Sequence, residues 1–203
     1  MKISIILGVP QKGSFNHAIA ETAAQALRDN GYGVTCHDLY AEGFNPLLPP
    51  EELAKNVKLE NVIKKHCDEI TQADGIIIIH PNWWGQPPAI LKGWIDRVLR
   101  QGVAYEFATT DSGEGVPKGL LKAKTAIVFN TANTPEDREM TAFGDPLETL
   151  WKKCIFDFCG VEKFVRRTFS VVIISSAEQR REWLNEVRAI TQRHFPATKS
   201  QAT

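Results

Sequence analysis

The sequence predicts a single α/β domain, an open parallel sheet wound by helices on both faces. Three observations carry that expectation. Short apolar runs alternate with segments of helical period five times along the chain. The central run holds four consecutive isoleucines, Ile76 to Ile79, which leave no strand face for water and suit a buried parallel strand. No internal repeat or composition break divides the 203 residues into two units.

The elements follow in order. Ile3 to Leu7 stops at Gly8 and Pro10, too short for a helix and readable as a buried strand. The N-terminal stretch 1–8 carries one positive charge, on Lys2, and no small-residue cleavage site, so it is a strand rather than a signal peptide. Beyond the loop 8–16, Ile19, Ala23, Ala26 and Leu27 repeat at helical spacing, and Asn30-Gly31 supplies the stop. A second strand spans 33–38, and Asn45-Pro46-Leu47-Leu48-Pro49-Pro50 makes a surface loop. Leu59, Val62, Ile63, His66 and Ile70 outline a second helix before the central strand 75–80. Ile90, Leu91, Trp94, Ile95 and Val98 mark the third.

The segment 102–122, with four glycines and a proline, reads as a long excursion above the sheet. A fourth strand at 125–130 is followed by a helix on Leu147, Leu150, Trp151, Cys154, Ile155 and Phe158. The fifth strand lies in 163–174, and Trp183, Leu184, Val187 and Ile190 carry the last helix. The domain is expected to span 1–195, with a polar, disordered tail at 196–203.

Composition excludes several functions. Lys plus Arg equals Asp plus Glu at 24 each, which gives no electrostatic case for nucleic acid or an anionic membrane. No run approaches the roughly 20 apolar residues of a membrane helix. Cys36, Cys67, Cys154 and Cys159 are scattered, with no metal-ligand spacing. The expectation is a cytoplasmic protein with four reduced, mostly buried thiols and no metal.

In such a sheet, ligands bind beyond the carboxyl ends of the strands, where the winding reverses. Three loops therefore matter: 8–16, 81–88 and 131–145. The first opens onto a helix whose amides and dipole suit an anion, with Ser14, Asn16 and Lys12 as further donors. It is not a P-loop, because Ser14 stands where the phosphate-binding lysine belongs. The second holds Trp83-Trp84, a large apolar surface that a planar aromatic ligand would cover; a core position and a subunit contact are the competing explanation. The third, Thr131-Ala132-Asn133-Thr134-Pro135, offers short polar donors for the other side of the same ligand. His17, His37 and His66 fall where solvated or packed side chains are expected. His80 caps the central strand and is the one histidine admitted as a candidate site residue.

Several blocks resemble a known family, the NAD(P)H quinone reductases of the DT-diaphorase type. They are Gly13-Ser14-Phe15-Asn16, Asp38-Leu39-Tyr40, Phe44-Asn45-Pro46, Pro87-Pro88-Ala89-Ile90-Leu91-Lys92-Gly93-Trp94 with Asp96-Arg97-Val98, Ala104-Tyr105, Phe143-Gly144-Asp145 and Phe158-Cys159-Gly160. The resemblance implies a flavodoxin-like, doubly wound five-stranded parallel sheet with strand order 2-1-3-4-5. It also implies a homodimer with non-covalent FAD or FMN, passing hydride from NAD(P)H to quinones or related soluble acceptors. A flavodoxin-like electron carrier and a dimeric regulatory flavoprotein subunit of an ion-transport system are the alternatives.

By the same resemblance, Ser14, Phe15, Asn16 and Ala18 would hold the flavin phosphate and ribityl chain. Pro81, Asn82, Trp83, Trp84 and Gly85 would line the isoalloxazine ring, with Thr131, Ala132, Asn133 and Thr134 on its pyrimidine side. Tyr105 and Phe107 would reach the substrate cavity at the dimer interface. The departures are informative. The family has Thr-Thr-Gly-Gly at 131–134 and a histidine where this chain has Phe143, and no tyrosine stands between Thr131 and Phe143. Glu139 is the nearest ionisable group there. Asn133 and Tyr105 are the candidate catalytic residues, Asn133 for the charge that develops near N1 and O2.

Overall fold

The computed structural model describes residues 1–54, 57–107 and 116–197. Five parallel strands form the sheet: β1 (Lys2–Leu7), β2 (Gly33–Asp38), β3 (Gly75–Pro81), β6 (Thr125–Ala132) and β7 (Lys163–Ser170), in the order β2-β1-β3-β6-β7. Counting the sheet's own strands, this is the expected 2-1-3-4-5 order. Winding reverses between β1 and β3, which pair in register from Ile3↔Gly75 to Leu7↔Ile79.

Strand alternation explains the isoleucine run. Ile76 and Ile78 face one core layer with Trp94 and Trp151, while Ile77 and Ile79 face the other with Leu27, Trp183 and Val187. Each buried isoleucine contributes on the order of 1.5–3 kcal/mol relative to exposure. The second layer is closed by α1 (Phe15–Asp29) and α6 (Ala177–His194); α2 (Asn61–Gln72) and α3 (Ala89–Val98) cover the first. The 87–98 block proves architectural in part. A Cβ on Gly93 would stand 2.2 Å from the Pro46 carbonyl oxygen, and fully buried Arg97 bonds the Asn45 carbonyl and the Glu52 carboxylate. Those contacts fasten the proline-rich loop onto α3.

The structure corrects four expectations. The fifth strand ends at Ser170, because Ser170 already pairs with Ala132, the last residue of β6; Val172–Ile174 turns as a 3-10 helix instead. The helix expected on 147–158 is a short α5 (Pro146–Glu148) running into a π-helix at Thr149–Asp157. Its wider turn lets Trp151 and Phe156, five residues apart, stack at 5.8 Å. The excursion 102–122 contains an antiparallel pair, β4 (Tyr105–Phe107) and β5 (Pro117–Gly119), with 108–115 outside the described residues. Finally, Cys67 and Cys159 are buried but Cys36 and Cys154 are exposed, so the thiols are divided rather than mostly buried.

The third loop also holds α4 (Glu136–Phe143), capped by Gly144 in the left-handed region. It buries no residue and so writes no apolar stripe into the sequence. At the C-terminus, the Tyr32 hydroxyl donates to the Pro196 carbonyl at 2.9 Å; of the expected tail, 198–203 lie outside the described residues. No helix among the described residues is long and apolar enough to cross a membrane.

Candidate functional site

The ends of β1, β3 and β6 bring the three loops together. Gly13 takes φ +67°, a conformation that favours glycine, and Ser14 opens α1. Ser14 does not cap the helix with its side chain. Its Oγ lies 3.0 Å from His17 Nδ1, whose Nε2 lies 3.1 Å from Asp38 Oδ2, and Asp38 Oδ1 accepts the Tyr40 and Ala41 amides. The first amides of α1, at Phe15 and Asn16, thus keep the open donors of a helix start.

The side chains of those two residues do other work. The half-buried Phe15 ring packs on Phe169 and Trp183, at 6.2 and 5.8 Å, on the core side of the helix. Asn16 is 5% exposed and donates from Nδ2 to Thr131 Oγ1 at 3.0 Å, tying the first loop to the third. Ala18 is half-buried on the same helix.

In the second loop, Trp83 and Gln86 exchange both backbone hydrogen bonds, at 3.0 and 2.9 Å. Between them Trp84 (φ 57°) and Gly85 (φ 69°) are both left-handed, which makes a two-residue turn of the I′ kind. Tryptophan is a strained occupant of that position, and its ring is completely exposed. Asn82 holds the turn. Its Oδ1 accepts the Gly85 amide at 3.0 Å, its Nδ2 donates to Glu139 Oε1 at 3.1 Å, and its own amide donates to the Thr131 carbonyl at 2.7 Å. A cavity of about 500 Å³ opens among Asn82, Trp84, Gly85, Thr134, Glu139, Phe143 and Pro146.

A buried polar network supports the cavity floor. Arg166, on β7, bonds Asp145, Glu148 Oε2 (3.0 Å), Thr168 Oγ1 (2.8 Å) and Asn130 Oδ1 (3.5 Å). Asp145 is left-handed, and its Oδ1 is a buried acceptor without a partner among the described residues. His80 belongs to this support and not to the crevice. Its Nε2 accepts from Asn130 Nδ2 (2.8 Å) and Trp151 Nε1 (3.0 Å), which leaves the proton on Nδ1 to be donated to the Pro81 carbonyl at 2.8 Å. Burial pushes its pKa down to about 4, so it stays neutral and is not the site histidine that its sequence position suggested.

The other candidates divide. Thr131 and Ala132 are buried, and Asn133 is exposed with Oδ1 accepting the Ile173 amide at 3.0 Å, which leaves its Nδ2 as the open donor of that side chain. Pro81 contributes its carbonyl to His80, and Trp83 is half-exposed beside its neighbour. Tyr105 and Phe107 do not reach this cavity within one chain. They line a separate space of about 660 Å³ with Leu48, Leu53, Ile95 and Leu99. Sequence reasoning missed Arg166, whose charge inside an otherwise strand-like run was the available signal. It left Glu139 without a role, because the Asn82 contact spans 57 residues.

One cluster elsewhere has metal-ligand chemistry. Ligand atoms of His37, Glu42 and His66 lie within 4.8 Å of one another. However, Trp94 Nε1 donates to His66 Nδ1 at 3.1 Å, so a neutral His66 keeps its proton on Nε2, the nitrogen facing Glu42 at 3.3 Å. His37 meets Glu42 and Glu69 with its two nitrogens, at 2.8 and 2.6 Å. The donor pattern is satisfied by protons alone. Burial, helped by His37 and Lys65, takes the His66 pKa down to about 4.

This fold, with its three-loop crevice at the β1/β3 reversal, is that of a flavodoxin-like protein, and the family model described as having a flavodoxin-like fold matches residues 1–192. The chain belongs to that family, among its NAD(P)H oxidoreductases. It is 36% identical over 190 residues to an uncharacterized NAD(P)H oxidoreductase of Haemophilus influenzae, covering 91% of this chain and 90% of that one. It is 30% identical over 217 residues to rat ribosyldihydronicotinamide dehydrogenase [quinone], covering 93% and 91%. The crystal structure of Smu.1420 from Streptococcus mutans superposes with a TM-score of 0.81 at 32% identity, covering 95% of this chain and all of that one.

Proposed function

We propose that the protein binds a flavin nucleotide, FMN or FAD, in the crevice and uses it to oxidise NAD(P)H and reduce quinones or related acceptors. The observation that carries this reading is Trp84. An indole displayed fully to water on a strained turn, beside a cavity of about 500 Å³, has surface to offer a planar ring. The donor set fits: open helix amides at Phe15 and Asn16 with the Ser14 hydroxyl suit a phosphate, and the orphaned Asp145 Oδ1 suits an N–H donor.

A bound flavin supplies two-electron chemistry, so that NAD(P)H, a proton and a quinone become NAD(P)⁺ and a hydroquinone. The chain's own residues hold and orient. Asn82 fixes the Trp84 turn, Asn16 and Thr131 lock the two flanking loops, and Asn133 Nδ2 and the loop amides provide hydrogen bonds at the polar edge. Tyr105 and Phe107 would complete the acceptor space from a second copy of the chain, with exposed Leu53 lining the same space.

The visible spectrum of the purified protein tests the cofactor, and menadione-dependent oxidation of NADH and NADPH tests the activity. A yellow protein with turnover is expected, and Trp84→Ala should lower flavin occupancy. A colourless protein that takes up neither flavin refutes the reading. A yellow protein without turnover would make it a carrier or regulatory subunit. Sedimentation equilibrium checks the dimer.

A further inference from the structure

We infer that Glu139 makes the ring cavity selective for the charge of its aromatic acceptor, favouring cationic over anionic molecules. The inference rests on the proposed oxidoreductase function and names its substrate class. Although the whole chain has formal net charge +0, its cavity rim does not. Glu139, Glu136, Asp145, Glu148 and Glu186 surround this cavity and its small neighbour, or pair with their lining, against Arg166 and Arg167. Both guanidiniums are already engaged, Arg166 by Asp145 and Glu148, Arg167 by Glu186 at 2.6 Å.

Glu139 is the carboxylate on the cavity wall, and it has no ion-pair partner among the described residues. Its single hydrogen bond, from neutral Asn82, orients the group without cancelling its charge. Trp84 and Phe143 line the same space, 102% and 56% exposed. With the Trp84 face given to the flavin ring, the exposed Phe143 ring beside an unneutralised carboxylate forms the rim that attracts a planar cation through both its charge and its π contact. An anionic acceptor meets repulsion in the same place. At contact distances near the surface, one charge against another shifts binding by about tenfold in each direction.

The test compares three naphthoquinones as acceptors for the holoenzyme: menadione, naphthoquinone-2-sulfonate, and a naphthoquinone bearing a trimethylammonium side chain. The readout is the cationic-to-anionic ratio of kcat/KM, which cancels any loss common to all acceptors. We expect a wild-type ratio of about tenfold or more, and a fall of at least about fivefold in Glu139→Gln, whose carbonyl still accepts from Asn82. Raising ionic strength should erode the wild-type ratio, a measurement that needs no variant. Quenching of tryptophan fluorescence by the two charged quinones gives the same comparison for binding alone. A ratio that Glu139→Gln leaves unchanged overturns the inference even if all three quinones are reduced. Failure to reduce any of them would instead count against the proposed function, while the quenching comparison still decides the charge preference.

Discussion

Two pairs of tryptophans occupy opposite conditions in this molecule. Trp94 and Trp151 are buried to 1% and 0% exposure, and each indole N–H donates to a histidine, His66 and His80 respectively. Each thereby fixes its histidine as a neutral tautomer within the core. Trp83 and Trp84 stand at 44% and 102% exposure on a strained hairpin turn. The buried pair obeys the usual rules for burying an amphipathic ring. The displayed pair breaks them beside a cavity, where an indole stands open to solvent on a strained turn, and the proposed flavin ring is what would cover it. Residue type is the same in both; the satisfied or unsatisfied environment tells structure from function.

The comparison is broken most directly at the buried pair. Trp151→Ala should destabilise the fold by about 3–5 kcal/mol, since it empties a filled core position and removes a hydrogen bond to His80. Urea unfolding would show it, and a loss below ~1 kcal/mol would mean that the ring is not packed as described.

Acid should expose the histidines that these indoles hold. His66 and His80 stay neutral in the fold with pKa values down to about 4, whereas the unfolded chain protonates them near the ordinary imidazole value of 6.5. The unfolded state therefore binds more protons below that value, so stability is full above pH 6.5 and is lost as pH falls toward 4. The loss is about 1.4 kcal/mol per pH unit for each histidine, reaching roughly 3 kcal/mol apiece. Measured between pH 6.5 and 5, Glu and Asp contributions are small and His194, also held down by burial, adds in the same sense, so His66→Gln should lower the slope by up to about 1.4 kcal/mol per pH unit; an unaltered slope would contradict a neutral, buried His66.

The displayed pair should respond more mildly. Asn82→Ala removes the hydrogen bonds to Gly85 and Glu139 and should cost about 1–2 kcal/mol, visible as a lower urea midpoint at constant m. Trp84→Gly relieves the left-handed strain and should leave stability unchanged or raise it by up to ~1 kcal/mol, while flavin retention falls. Stability and retention falling together would place Trp84 with the buried pair.

The layers were legible in the amino-acid pattern alone. Period-two and period-3.6 apolar patterns encode which faces are buried, and the isoleucine run marked a two-sided strand without reference to any partner. The pattern also located the three crevice loops, because those follow from the ends of strands. Polar contacts of long sequence separation emerged only on folding: Asn16 with Thr131, Asn82 with Glu139, His80 with Trp151. Such bonds depend on direction and on which atom holds a proton, and neither leaves a period in the chain. The same limit explains His80, which a strand-end position offered to the site and a neighbouring indole drew into the core. It explains α4 as well: a helix that buries nothing has no stripe to read, yet it delivers the carboxylate that charges the cavity wall.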